Sequence, residues 1–359
     1  MKNICFTIHN VACHGGTERV GLLIANELCK RGFNVFFMSY DAKEGPSFSC
    51  DARIKCFSML SNILERRTRK WQRYAIWKYH RFLIKHKIDL VIDIDTQHAN
   101  WSIPAAMGTK TKVIGWDHFN YTYSTQNSFR KHAIKLIEYH AAGLVLLTKK
   151  DKNTYLTKTD VPSSIIHQIY NPITFEEQNW IKHENKRVIA IGRIDPQKGF
   201  DLLLKSWKIV EEQISDWTLE IVCGYGSPEC LQKEAVSMGL KHIECTERTD
   251  NVRQKYLNAS IYALSSRFEG FPMVLLEACA LSLPMVAYDC ETGPSEIVED
   301  GINGFLVKPE NVEMFAAKLI EMIENERLRL AMSKAAFETS KKFKIDNIME
   351  QWINLINSL

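Results

Sequence analysis

The sequence predicts an α/β protein built from two doubly wound parallel sheets, each covered by helices on both faces. Three observations predict it. Short apolar runs alternate with helix-period segments along the whole chain, the pattern of strand–helix–strand units. The 359 residues suffice for two domains at ~100–200 residues each, both large enough to bury a core. The charge also changes sign: residues 1–180 hold 25 Lys and Arg against 15 Asp and Glu (+10), and residues 181–359 hold 21 against 27 (−6).

In order, the first half offers strands at residues 4–8, 34–38, 90–94, 112–116 and 144–147. These runs are apolar nearly throughout, as strands buried on both faces must be. Between the first two, Val20, Leu23, Ile24 and Leu28 recur at helical spacing. The second half offers strands at 188–191, 219–223, 261–264, 284–287 and 304–307, with helical patterns at 200–213, 273–281 and 312–325. The boundary is expected at Tyr170-Asn171-Pro172, because the residue before a proline is pushed out of helix and a polar stretch follows. The domains are thus expected at 1–170 and 171–344. Residues 345–359 form an amphipathic helix with Ile348, Trp352, Leu355 and Ile356 on its apolar side, whose destination the pattern does not give.

At 45% apolar and 25% charged residues, disordered, collagen-like and coiled-coil classes are excluded. No apolar run approaches the ~18 residues of a membrane span, and residues 1–8 lack signal-peptide features. Ten cysteines include no C-x-x-C pair, so a reduced, cytoplasmic setting without a zinc site is expected. The basic first half suits nucleic acid, an anionic membrane or a phosphorylated substrate.

Ligands of doubly wound sheets sit beyond the carboxyl ends of the strands, so the loops after strands carry the candidate chemistry. The richest is Ser266-Arg267-Phe268-Glu269-Gly270-Phe271-Pro272-Met273-Val274, running on through Glu277. Pro272 suits the first position of a helix, and the amides of Met273 and Val274 would then form an anion site. Gly270 permits close backbone approach. Glu277 is flanked by Val274, Leu275, Leu276, Ala278, Cys279 and Ala280. Burying its carboxylate without a partner costs ~2–7 kcal/mol. Ribose hydroxyls would serve, and so would an internal basic residue.

A second loop, Gly192-Arg193-Ile194-Asp195-Pro196-Gln197-Lys198-Gly199, offers a guanidinium fork and a point charge for a diphosphate, without being a Walker loop. Alone, it would read as two solvated cations. The third, His14-Gly15-Gly16-Thr17-Glu18-Arg19, is either a phosphate cradle or a tight turn. In Cys223-Gly224-Tyr225-Gly226 the third glycine of a dinucleotide fingerprint is replaced by Glu229, which argues against nicotinamide. His118, in Trp116-Asp117-His118-Phe119-Asn120, is a substrate contact or a structural histidine. Between Leu64 and Lys87, Arg66, Arg67, Arg69, Lys70, Arg73, Lys78, Arg81, Lys85 and Lys87 interleave with Trp71, Tyr74, Ile76, Trp77 and Phe82. A basic helix with aromatic anchors suits an anionic membrane surface, and a solvated helix packed on its own domain fits equally. No nucleic-acid-binding motif accompanies the charge, so no nucleic-acid partner is expected.

Taken in order, Gly15-Gly16-Thr17-Glu18-Arg19, Asn171-Pro172-Ile173, Gly192-Arg193 with Lys198-Gly199, the pair Glu269/Glu277, Gly293-Pro294-Ser295-Glu296-Ile297 and Asp300-Gly301-Ile302-Asn303-Gly304 make the chain resemble the retaining glycosyltransferases of family 4. The likeness is dense over 185–310 and thinner before it. It implies the GT-B fold, two Rossmann-like domains facing across a cleft, with the terminal helix packing back on the first. It implies a nucleotide-sugar donor, most often a UDP-sugar, held mainly by the second domain. Arg193 and Lys198 would neutralise the diphosphate, and Glu277 would bind the ribose. Glu269, with the backbone of Gly270, Phe271, Met273 and Val274, would hold the hexose. His118 would touch the sugar, and Gly15-Gly16 would border diphosphate and acceptor. No cofactor and no metal are implied, and Asp93-Ile94-Asp95 reads as a strand terminus. Glu247 and Ser282 stand where relatives commonly carry glycine. The first half resembles bacterial enzymes of O-antigen, capsule or lipid-linked oligosaccharide synthesis. Their acceptors imply peripheral contact with the inner face of the cytoplasmic membrane through residues 64–87. A nucleotide-sugar epimerase of the same fold is the alternative, and a non-catalytic binding subunit a third. Lys198→Ala is expected to abolish turnover with the fold intact.

Overall fold

The computed structural model describes residues 2–40, 45–59 and 69–359. The chain divides into two compact units, one of Met1–Asn171 with Asp346–Leu359, the other of Pro172–Ile345.

In the first unit, β1 (Asn3–Ile8), β2 (Asn34–Ser39), β3 (Lys55–Ser58), β4 (Leu90–Ile94), β5 (Lys112–Asp117), β6 (Gly143–Leu146) and β7 (Ile166–Gln168) form one sheet. Its order is β3-β2-β1-β4-β5-β6-β7, parallel throughout. Helices α1 (Gly16–Lys30), α2 (Arg69–Lys85), α3 (Ala99–Ala106), α4 (Tyr121–Ser124), α5 (Ser128–His140) and α6 (Lys149–Lys158) connect the strands. The central strands are buried on both faces, which is why they read as nearly continuous apolar runs, interrupted by Thr7, Asp93 and Asp117. Strands β3 and β7 lie outside the runs predicted from sequence. They are edge strands of four and three residues, too short and too polar to stand out.

The second unit holds β8 (Arg187–Gly192), β9 (Thr218–Cys223), β10 (Ile243–Glu247), β11 (Ile261–Leu264), β12 (Met285–Tyr288) and β13 (Gly304–Val307), in the order β10-β9-β8-β11-β12-β13. Its helices are α7 (Phe200–Gln213), α8 (Pro228–Ser237), α9 (Val252–Leu257), α10 (Met273–Ala280), α11 (Pro294–Ile297), α12 (Val312–Glu324) and α13 (Glu326–Ser340). The polar edge strand β10 also escaped the apolar pattern. Helix α14 (Ile345–Ser358) belongs to the first unit. There Ile348, Trp352 and Ile356 are fully buried, and the Trp352 ring meets Trp116 edge-on at 4.8 Å. The Nζ of Lys2 donates to the Ile356 carbonyl at 2.5 Å. Burying large apolar side chains of this kind stabilises by ~1.5–3 kcal/mol each.

In each sheet the winding reverses once, between β1 and β4 and between β8 and β11. At such switch points the loops leaving the two strands part and open a crevice. The loops after β8 and β11 contain Arg193, Lys198 and Glu269. Those after β1 and β4 contain Gly15 and Asp95. Among the described residues no helix is long and apolar enough to cross a membrane.

Candidate active site

The second unit brings three of the sequence-predicted residues together at the β8/β11 switch point. After β8 the chain turns sharply, with the Lys198 amide donating to Asp195 Oδ1 at 3.1 Å and the Ile194 amide to the Tyr225 carbonyl at 2.7 Å. Gly199 adopts φ +62, and its Cα lies so close to the Ser265 carbonyl oxygen that a Cβ would collide with it. The Ser265 hydroxyl in turn donates to the Lys198 carbonyl at 2.8 Å. Gln197 fastens the two loops: its carbonyl accepts from the Arg267 amide at 2.8 Å, and its Nε2 donates to the Phe268 carbonyl at 3.0 Å. Lys198 therefore reaches Glu269, with Nζ 2.7 Å from Oε1 and both side chains largely buried. Arg193 is more exposed. Its Nε donates to Asp195 at 2.9 Å and one terminal nitrogen to Gln197 Oε1 at 3.0 Å, so it is held beside the lysine loop without contacting either glutamate.

Glu269 is fixed by its backbone as well, since its carbonyl accepts from the Thr292 hydroxyl at 2.6 Å. Helix α10 begins at Met273, so Pro272 is the capping residue just outside the helix, not its first residue. The reason is its extended ψ of 104°; its carbonyl accepts from the Leu275 amide at 3.0 Å. Met273 and Val274 head the helix. One turn on, Glu277 is buried and satisfied by hydroxyls: Thr174 donates to Oε1 and Tyr256 to Oε2, both at 2.8 Å. Neither Thr174 nor Tyr256 was singled out by sequence, although Thr174 follows the Asn171-Pro172-Ile173 motif. Tyr262 stacks on Tyr256 at 5.7 Å. Burial first, then the charges of Glu277 and Glu269, push its phenol well above its ordinary value. Both acids thus act on one buried ring.

In the first unit, Gly15 caps α1 in extended conformation, and the Glu18 carboxylate folds back over it. Glu18 accepts from the Gly15 amide and its own, while burial raises its pKa. A carboxylate of the chain itself therefore sits at this helix terminus, the place a phosphate would take. His118 lies just beyond β5 against Trp116, ring centroids 4.4 Å apart. Its Nε2 is out of solvent with no hydrogen-bond partner among the described residues, and burial pushes its pKa down to about 4.

Two family models divide the chain: "Glycosyl transferases group 1" matches residues 173–339 and "Glycosyltransferase Family 4" residues 14–177. An uncharacterized glycosyltransferase of Haemophilus influenzae is 33% identical over 99% of this chain and 100% of its own. This chain is a family 4 glycosyltransferase. The glycosyltransferase is also 28% identical to the amylovoran biosynthesis glycosyltransferase AmsD of Erwinia amylovora, over 99% of this chain and all of that one. It is 25% identical to an α-1,4-N-acetyl-D-galactosaminyltransferase of Campylobacter jejuni whose acceptor is a saccharide on undecaprenol diphosphate, over 99% and 98% of the two chains. Anabaena HepE, solved with UDP-glucose, superposes with TM-score 0.81 over the whole of both chains at 18% identity, which establishes the GT-B fold. The match is to transferases, so the epimerase alternative gains no support from it.

Helix α2 covers only part of the basic segment: Leu64 to Arg67 lie outside the described residues. Tyr74 and Trp77 are half exposed and stack at 5.8 Å, with Arg81 over Trp77 at 5.1 Å. Phe82, expected as an anchor, is instead buried against Phe36 and Phe57, because it falls on the face turned to the sheet.

Proposed function

We propose that this glycosyltransferase is a retaining enzyme that moves a hexose or N-acetylhexosamine from a UDP-sugar to a saccharide or polyprenyl-diphosphate-linked saccharide. The observation that carries the reading is the Lys198–Glu269 pair, held with Arg193 nearby at the switch point of the second sheet. A UDP-sugar presents a diphosphate for the two cations, a ribose for Glu277 and a hexose for Glu269 with the backbone of Gly270, Phe271, Met273 and Val274. Charge-assisted contacts of this sort are worth ~1.5–3 kcal/mol each. They count most for catalysis where charge grows as the leaving diphosphate departs. His118 contacts the sugar, and Gly15-Gly16 border the acceptor.

Transfer then breaks the bond between the anomeric carbon and the diphosphate oxygen and forms one to the acceptor oxygen on the same face. The acceptor proton passes to the departing phosphate, so no side chain is needed as covalent nucleophile. Arg193 and Lys198 supply the counter-charge, and turnover is expected to be unchanged by a metal chelator.

Thermal shift with a panel of UDP-hexoses, UDP-N-acetylhexosamines and GDP-mannose tests the donor. A donor at 100 times its Kd should add ~2.7 kcal/mol of stability. A response to GDP-mannose alone would move the reading to another base, and no response to any would remove it. The anomeric configuration of the product, read by NMR, decides retention.

The exposed face of α2, with Tyr74, Trp77 and Arg81, supports peripheral binding to the anionic inner face of the cytoplasmic membrane. Trp77→Ala with Arg81→Glu should abolish flotation with phosphatidylglycerol vesicles at low salt. Wild-type protein that stays unbound there would exclude the contact.

A further inference from the structure

The segment that carries His118 is fastened on both sides by buried polar groups. Asp95, just past β4, adopts φ +79, a left-handed conformation that costs a non-glycine residue ~1–3 kcal/mol. Its amide donates to the Trp116 carbonyl at 2.9 Å. Its carboxylate accepts from the Gln97 amide and side chain at 3.1 and 2.8 Å and, bidentately, from Arg130 at 2.9 and 2.8 Å. Both members of this ion pair are about 8% exposed. The Arg130 guanidinium also lies 5.1 Å from the Phe119 ring centre and 4.8 Å from that of Tyr123, and the two rings stack on each other at 4.4 Å. On the other side of His118, Asp117 accepts from the Phe119 amide at 3.0 Å, the Ser124 hydroxyl at 3.0 Å and the Tyr155 hydroxyl at 2.7 Å. Residues 116, 117 and 119 are thus tied down, while the His118 Nε2 between them has no partner among the described residues.

Desolvating two charges often costs more than their attraction returns, so a buried ion pair is weak as a stabilising device and better explained by what it holds in place. Held here is the backbone around one imidazole. We infer that Asp95 and Arg130 are positioning residues, whose ion pair clamps residues 116–120 and aims the His118 ring at the sugar being transferred. The inference rests on the role proposed above for His118. Lysine cannot replace the arginine, since an ammonium does not form two parallel bonds to one carboxylate while its charge also sits over the Phe119 ring.

A double-mutant cycle tests it, using the UDP-sugar of the panel that the wild-type enzyme turns over. Arg130→Met should lower kcat ~10²-fold, the loss a misplaced contact commonly causes, with the donor KM little changed. His118→Ala should lower kcat as well, and Arg130→Met should cost nothing further in its background, because the arginine acts through the histidine. Arg130→Lys, the variant safest for folding, should also lose kcat. Multiplying losses in the double variant, or wild-type kcat in Arg130→Lys alongside a lowered Tm, would reduce the pair to a structural role. Full activity in His118→Ala would overturn the assignment of His118 and the clamp with it. A readout without donor is the His118 ring resonance in NMR. It should be single and sharp in the wild type and exchange-broadened in Arg130→Lys, and an unchanged resonance in that variant would overturn the clamp.

Discussion

Replacing Lys198 should damage stability and turnover together, and a second substitution should separate the two. The Lys198 side chain is 15% exposed and that of Glu269 8%, with 2.7 Å between Nζ and Oε1. Lys198→Ala leaves the Glu269 carboxylate without its cation in a site that water barely reaches. Removing one partner of a buried pair costs ~3–5 kcal/mol, and the residual exposure of the lysine places this one near the lower end. For a unit of this size each kcal/mol shifts Tm by ~2–4 °C, so a fall of roughly 6–12 °C is expected. The fold-neutral outcome that the sequence suggested for this variant is therefore replaced by a destabilised one. Turnover should fall ~10²–10³-fold, as for loss of one preorganised stabiliser. Lys198→Met combined with Glu269→Gln removes both charges, keeps the volume and should recover most of the lost Tm. It should recover none of the rate. Calorimetry and steady-state kinetics on the three proteins decide the matter. A double variant that regains turnover along with stability would show that the pair is structural and that the diphosphate is gripped elsewhere.

Glu277→Gln should weaken binding of the UDP-sugar about tenfold or more in calorimetric titration, the worth of a hydrogen bond to a charged group. Unaltered affinity would assign Glu277 to Thr174 and Tyr256 alone. Gly199→Ala, at φ +62 and with a Cβ driven into the Ser265 carbonyl, should cost stability and push apart the loops after β8 and β11, raising the donor KM. A normal KM would mean that these loops do not position Lys198. Asp93 is fully buried, and burial raises its pKa to about 7 from an ordinary 3.8. The folded chain therefore keeps a proton that the unfolded chain loses, and this contribution disappears as pH rises from about 4 to 7, by at most roughly 4 kcal/mol. The Tm of Asp93→Asn relative to wild type should accordingly climb between pH 5 and pH 8, and parallel Tm profiles would refute a protonated Asp93.

The parts of the fold that were legible are those where one physical demand selects one residue type. Strands buried on both faces are apolar nearly throughout, and β1, β4, β5, β8, β9 and β11 announced themselves on that ground despite the buried Asp93 and Glu220. Edge strands face no such demand. Lys55-Cys56-Phe57-Ser58 and Ile243-Glu244-Cys245-Thr246-Glu247 are held by pairing with β2 and β9, which no local pattern records. Ser282 is legible only in retrospect: it stands at φ +62 after α10, where glycine would be unstrained, and is tied down by the Ile181 amide at 3.0 Å and the Ser333 hydroxyl at 2.7 Å.

The site divides in the same way. Arg193, Lys198 and Glu269 lie in strand-exit loops and Glu277 one turn into the helix that follows, so their type and position together mark them as candidates, although the two cations alone read as solvated. Their partners are another matter. A buried carboxylate requires donors, but any hydroxyl, amide or cation folded alongside would do, and Thr174 lies 103 residues from the Glu277 it satisfies. The Asp95–Arg130 pair is hidden for the same reason, since its members are 35 residues apart and Asp93-Ile94-Asp95 by itself reads as a strand terminus. Charged groups in strand-exit loops are a pattern that sequence can display. Their hydrogen-bond partners are constrained only by where the fold leaves space, so Thr174, Tyr256 and Arg130 emerge only from the three-dimensional arrangement.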